Sequence, residues 1–377
     1  MHKILRIFKL DREALTDLLL IYFSKGLGYI VILATNPIFY SKLTKEDYGN
    51  LAVLWSYAQF MVVLAEMSSP TVGVSRISTY NERIERSKIA MNRIFVLALL
   101  FLVAITINEE LWYIVLIIPL SSLLNKTYIF HAAGNLKNPA LFQLIGRLLS
   151  LPFLYFFVIK PSIISAATFV SLQWLLPSLL TNIFGLRSYG IVLPKMSLLH
   201  SDYYLQTIYA IFGGSIAFIL PLILSYFNNK ALVGDWLFVD RSVRPFIALL
   251  YPINQFLLAK KTDYKSGLNL VVLVSLLAVL LSILLLSFSD SSVLELSLLY
   301  TCLIPLVSIQ YYYHNVLAVQ IGESKKVSVV GLFQFTFYSI FATITNSLEL
   351  LVYMILIYEF LMLVLTLSYA SNRLKKI

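Results

Sequence analysis

Charge is scarce in this chain. Only 13% of its 377 residues are Asp, Glu, Lys or Arg, while 59% are apolar. A soluble protein of this length could not hide so much apolar surface. Cysteine is almost absent: Cys302, inside an apolar segment, is the only one and excludes an internal disulfide framework. The four histidines (His2, His131, His200, His314) have no metal-ligand spacing, and neither a metal nor a cofactor is expected. No G-x-x-x-x-G-K-[ST], HExxH, CxxC or G-x-S-x-G occurs, which removes the common nucleotide, metalloprotease, redox and hydrolase signatures. Long hydrophilic stretches are missing as well, so no extramembrane catalytic domain has room to form.

What the chain has instead is apolar runs of about 20 residues, the length that crosses ~30 Å of hydrocarbon at 1.5 Å per residue. About twelve spans are expected, near 15–40, 49–72, 91–107, 111–133, 140–159 and 163–185, then 204–227, 236–258, 268–288, 293–316, 327–346 and 348–370. The basic residues test that count. Twenty fall on one side, among them Lys3, Arg12, Arg76, Arg86, Arg93, Lys195, Lys260 and Lys376. Only Lys42, Lys45, Lys160 and Lys230 fall on the other, and five lie within spans. This asymmetry predicts an even number of spans with both termini cytoplasmic. The net charge of +10 therefore marks topology, and no nucleic acid is expected as a partner. Met1–Thr16 is basic and amphipathic with no small-residue cleavage site after it, which reads as a retained helix on the membrane surface.

The chain also repeats itself. A shift of 185 residues sets Tyr48-Gly49-Asn50 on Val233-Gly234-Asp235 and Gly28 on Gly213. A shift of 188 sets Gly134-Asn135-Leu136-Lys137 on Gly322-Glu323-Ser324-Lys325 and Lys126 on His314, and Pro119 and Pro305 fall at similar places. Six spans return the chain to its starting side, so the expected architecture is all-α: two parallel-oriented six-helix bundles, residues 1–195 and 196–377.

Pro37 to Asn50 resembles the first exported loop of the polysaccharide flippases. Val239-Asp240-Arg241-Ser242-Val243-Arg244-Pro245, continuing through Leu249 to Gln255, resembles their eighth helix. Gly134-x-x-Lys137 and Gly322-x-x-Lys325 resemble the ends of the fourth and tenth. The family is the Wzx-type O-antigen flippases of the MOP superfamily, which also includes the MATE transporters. The resemblance implies a MATE-like fold in the bacterial inner membrane and a lipid cargo, undecaprenyl-diphosphate-linked oligosaccharide, moved from cytoplasmic to periplasmic leaflet. A polysaccharide polymerase complex is a further implied partner.

Charges inside spans are expensive, roughly 2.5–3.5 kcal/mol each at a helix centre on insertion scales. Lys25 stands about ten residues into the first span, with Tyr22 and Tyr29 on its face. It either meets an anionic, sugar-bearing ligand or snorkels to the interface, a reach of ~15 Å. Arg241 and Arg244 share a face in the eighth span, and Asp240 stands four before Arg244, in the favourable order for a helix ion pair. If that pair forms, Arg241 is left over. Lys126 and Arg147 stand toward the cytoplasmic half of the fourth and fifth spans, where cavity lining and snorkelling are both open. Together these residues form a candidate cationic cavity. Glu66, Glu359, His314 and Asp240 are candidates for ion coupling, although structural pairing explains the acids and packing beside aromatics explains the histidine. Prolines 119, 221, 245, 252 and 305 are expected as kinks.

The chain reads as a transporter and not an enzyme, since the exported loops of about eight residues cannot hold a catalytic site. A MATE-like multidrug antiporter is the nearer alternative, although the first span's cation has the wrong sign for cationic drugs. A non-transporting scaffold for a membrane assembly is the third class.

Overall fold

A computed structural model describes residues 12–106, 112–195, 199–213, 215–227, 230–248, 250, 253–254, 257, 264–287 and 294–374. The expected surface helix at Met1–Thr16 is outside them as far as residue 11. Among the described residues the structure is helical throughout, and each expected span falls on helix.

The helices are α1 (Arg12–Lys42), α2 (Lys45–Glu66), α3 (Glu82–Thr106), α4 (Trp112–Leu124), α5 (Thr127–Ala132), α6 (Lys137–Ile159) and α7 (Ile163–Tyr189). They continue with α8 (Ser201–Gly213), α9 (Ser215–Phe227), α10 (Lys230–Ala248), α11 (Tyr264–Leu286), α12 (Leu294–Tyr300), α13 (Leu303–Tyr311), α14 (Ser324–Ile344) and α15 (Leu348–Leu374). Thr44 starts α2 by accepting from the Asp47 amide, and Ser162 does the same for α7 from Ser165. Among the described residues seven helical stretches are long and apolar enough to cross a bilayer: Lys45–Ile77, Lys137–Ile159, Ile163–Tyr189, Ser266–Leu284, Leu294–Leu317, Ser324–Ile344 and Leu348–Ser368. The remaining expected spans are helical but shorter or more polar. Helices α4, α8 and α9 have 13 residues each, and α10 carries Asp240, Arg241 and Arg244. The protein is a multi-pass membrane protein.

Exposed leucines crowd the outside of α11 (Leu276, Leu277, Leu280 and Leu284), where lipid is the solvent. Inside stand small and polar residues such as Ser56, Ser171, Ser275 and Thr181, as expected where helices associate without a hydrophobic drive. Helix α6 packs on α1 and α7, α8 on α14, and α2 on α4, α9 and α10. Close approach has a visible cause at Gly146, where an added Cβ would stand 2.6 Å from Pro177 Cα of α7.

Several spans expected to be continuous are broken. After α2, Met67 and Ser68 take left-handed backbone (φ 45 and 55), and a π-helical turn, Ser69–Gly73, follows. Span four breaks at Asn125–Lys126, between α4 and α5. Span ten breaks between α12 and α13 and then widens into a second π-helical turn, Tyr312–Leu317. A break at membrane depth needs other partners for its freed backbone groups, and these supply several of the contacts described next.

The repeat has a structural counterpart. Gly134 and Gly322 both adopt left-handed backbone (φ 74 and 72). Around the first, Asn135 N donates to Phe130 O at 2.9 Å; around the second, Glu323 N donates to Ala318 O at 2.8 Å. Both are the 6→1 bond of a glycine-ended helix, in register under the shift of 188. The other pair, Gly49 and Gly234, meet each other: a Cβ on Gly234 would stand 3.6 Å from Gly49 N and 3.1 Å from Lys45 O.

Candidate functional site

Helices α1 and α2 face α10 along a polar seam. At the end assigned to the exported side, Tyr40 donates to Asp235 at 2.7 Å, and Lys45 stands 3.5 Å from the same carboxylate. Deeper in, Tyr48 donates to Asn36 Oδ1, and the Asn36 amide reaches Phe238 O and Ser242 Oγ, each at 3.4 Å. Tyr48 and Asn36 are both buried, so this knot replaces water for every group in it.

The expected ion pair is present. Arg244 grips Asp240 through Nε and Nη2, both at 2.6 Å, and Tyr300 of α12 donates to Asp240 at 3.3 Å. Arg241 is only 9% exposed, and its guanidinium lies over the ring of Trp55 on α2, 3.2 Å from the centroid. Burial leaves this charge little water, while the ring offers its electron-rich face.

Beyond Tyr300 a second polar cluster joins α13, α14 and α15. Glu359 is 2% exposed. Gln310 donates to its Oε2 at 2.7 Å, and Tyr338 donates to its Oε1. Among the described residues no salt bridge reaches this carboxyl.

The end assigned to the cytoplasmic side is held differently. Glu85 of α3 accepts from Tyr203 of α8 at 3.2 Å and stands 3.4 Å from both Arg76 and Lys88. Arg86 donates to Tyr189 O and Gly190 O at 2.9 Å, closing the carboxyl end of α7. Ser68 and Thr207 are 3.1 Å apart, again linking α8 to the break after α2. Arg93 is 2% exposed: Nη1 donates to Ser122 O at 2.9 Å and Asn125 O at 3.0 Å, Nη2 donates to Ser69, and its guanidinium lies over Tyr128. One guanidinium thus serves the backbone of one break and a side chain at the other.

Two corrections follow. The third span, expected from residue 91, begins at Glu82, and Arg86 and Arg93, counted on the cytoplasmic side, are buried in the protein. Lys126, expected within a continuous span, stands at the break that opens α5, near Arg93 and Arg86 and against Gly185 of α7. Both breaks were invisible because π-helical turns and broken helices keep the apolar content of a continuous span.

The other expected site residues are dispersed. Arg147 of α6 presses on Gly28 of α1, where a Cβ would stand 2.6 Å from Nη1. Gly28 is three residues beyond Lys25, but the side chains of Lys25 and Tyr29 are outside the described residues. Tyr22 is half-buried and packs against the core. Glu66 ends α2, half-buried, with Arg93 the cation that acts on it. His314 is 6% exposed in the second π-helical turn, its Nδ1 3.0 Å from Tyr209 OH, and its carbonyl accepts from Gln206 at 3.3 Å. Trp55, Asn36 and Tyr338 were missed; their only sequence signal is a polar or aromatic type within an apolar run. Among the described residues no group of three metal-ligating side chains forms.

The sequence matches no family model and no curated protein. Solved structures do match over nearly the whole chain. An outward-facing multidrug resistance MATE family transporter of the MOP superfamily aligns over 99% of this chain and 98% of its own, with TM-score 0.65 and 14% identity. The fold is the MATE fold. A MATE in complex with MaD3S aligns over 99% of both chains at TM-score 0.61 and 13% identity. An inward-facing MATE family transporter gives 0.56 over 93% of this chain and 95% of its own, also at 13% identity. At such identities the likeness speaks for architecture alone. The alignments run over nearly the full length of this chain and of each of these transporters.

Proposed function

We propose that the chain is a flippase for undecaprenyl-diphosphate-linked oligosaccharide, carrying it from the cytoplasmic to the periplasmic leaflet of the bacterial inner membrane. The observation that carries this reading is Arg241: a buried guanidinium in the seam between α2 and α10, whose neighbouring acid, Asp240, is already taken by Arg244. A cation held there is suited to a diphosphate. Residues 1–195 and 196–377 rock about the seam to give alternating access, while the polyprenyl tail stays in lipid. Both termini are cytoplasmic in this reading. Exporting about two negative charges down an inside-negative potential releases ~4–5 kcal/mol per 100 mV, so no ATP is required.

Glu359 favours a second reading, a MATE-like ion-coupled antiporter, since a carboxyl buried among Gln310 and Tyr338 could carry a proton or Na⁺. Proteoliposomes decide between the two. A pyrophosphate-linked oligosaccharide lipid should become accessible in the opposite leaflet, faster with an imposed potential, and Arg241→Ala should slow this at least tenfold while Arg241→Lys slows it less. Efflux of an organic cation against H⁺ or Na⁺, with no lipid transfer, would give the chain to the antiporter reading.

A further inference from the structure

Arg241 raises a problem of charge sharing. Asp240 and Arg244 form a bidentate pair at 2.6 Å, supported by Tyr300, and that pair uses both carboxylate oxygens. Arg241 is the residue next to this acid and is itself buried. Left without another partner, a guanidinium in a low-dielectric seam would compete with Arg244 for the one carboxylate. What it has instead is the face of Trp55 on the opposite helix, with the ring centroid 3.2 Å from its central carbon.

A ring and a carboxylate stabilise a buried guanidinium in different ways. A carboxylate cancels the charge and occupies the N–H edge. An aromatic face attracts the charge through its quadrupole, contributes no net charge, and leaves donors at the edge unused. We propose that Trp55 is a positioning residue for anion recognition: it holds Arg241 by its face while Asp240 is bonded to Arg244, so that the guanidinium edge is available to a diphosphate or another phosphate-bearing ligand. This inference rests on the reading of Arg241 as an anion-binding residue. Trp55 meets Arg241's face and packs against the core, and the anion is taken by the guanidinium edge.

Three variants separate this role from simple packing. Trp55→Phe keeps an aromatic face. Trp55→Leu keeps bulk and removes the face. Trp55→Glu supplies a partner that a structural cation would accept gladly but that neutralises it. Binding of inorganic pyrophosphate to the full-length protein in detergent is measured by calorimetry, alongside the thermal unfolding midpoint of each variant. The difference in tryptophan emission between the wild type and Trp55→Phe, with and without pyrophosphate, reports on the contact itself.

Trp55→Phe should bind within a few-fold of wild type, Trp55→Leu roughly tenfold more weakly, and Trp55→Glu not measurably, although its midpoint is kept. Equal binding by Trp55→Leu and wild type would overturn the positioning role, as would Trp55→Glu binding as well as Trp55→Phe. Tighter binding by Trp55→Leu would show that the ring competes with the anion, which also overturns it. If Trp55→Glu does not fold, the Phe and Leu pair and the emission difference still decide. Failure of the wild type to bind pyrophosphate, with Arg241→Gln no different, would sink the flippase reading itself; loss in Arg241→Gln with no effect at Trp55 would sink only the inference.

Discussion

Span four and span ten end alike and break differently. Each closes on a left-handed glycine, Gly134 or Gly322, with the same 6→1 backbone bond in the same register. Upstream, the first snaps at Asn125–Lys126, and the second widens into the π-helical turn at Tyr312–Leu317. The freed groups are then satisfied with opposite electrostatics. In the first, a buried arginine, Arg93, donates to Ser122 and Asn125 carbonyls. In the second, neutral groups suffice: Gln206 donates to His314 O, and Tyr209 meets the imidazole. The backbone device has one workable solution, so both halves retain it, while the side chains that repair the break are free to diverge.

The largest test of that contrast is Arg93→Leu. It strands two buried carbonyls and should cost roughly 2–5 kcal/mol, lowering the unfolding midpoint in detergent or preventing folded expression. Arg93→Lys, with one point charge in place of a fork, should recover only part. Next come Gly134→Ala and Gly322→Ala. Neither added Cβ would meet a neighbour, so backbone conformation alone sets the cost, about 1–2 kcal/mol at each site. A clearly unequal pair of midpoints would break the equivalence of the two ends. The smallest effect is expected for Tyr209→Phe, which loses the neutral hydrogen bond to His314, worth ~0.5–1.5 kcal/mol. If Tyr209→Phe proved as damaging as Arg93→Leu, the electrostatic distinction between the breaks would fail.

The helical spans, the glycine ends and the Asp240–Arg244 pair were legible because each depends on neighbours within about four residues. Arg241 was legible as a leftover, by elimination. Trp55 was not, since its meaning comes from α10, far away in the chain. The burial of Arg93 was not legible for a related reason: a basic residue at the start of an apolar run has the same sequence signature whether it faces water or a helix break. Helices in lipid also carry a weak amphipathic signal, because lipid is as apolar as a packed interior, so the face turned toward the seam cannot be read from periodicity.

The glycine contact in that seam has a mechanical consequence. Gly234 nearly touches the backbone of Lys45 and Gly49 at the end assigned to the exported side, an approach that a larger side chain there would prevent. Two rods touching at one end form a lever. A tilt of about 10° about that point moves ends ~30 Å away by about 5 Å, enough to separate Tyr203 from Glu85 and Ser68 from Thr207. A single bulky residue at position 234 would shift the fulcrum and shorten the stroke.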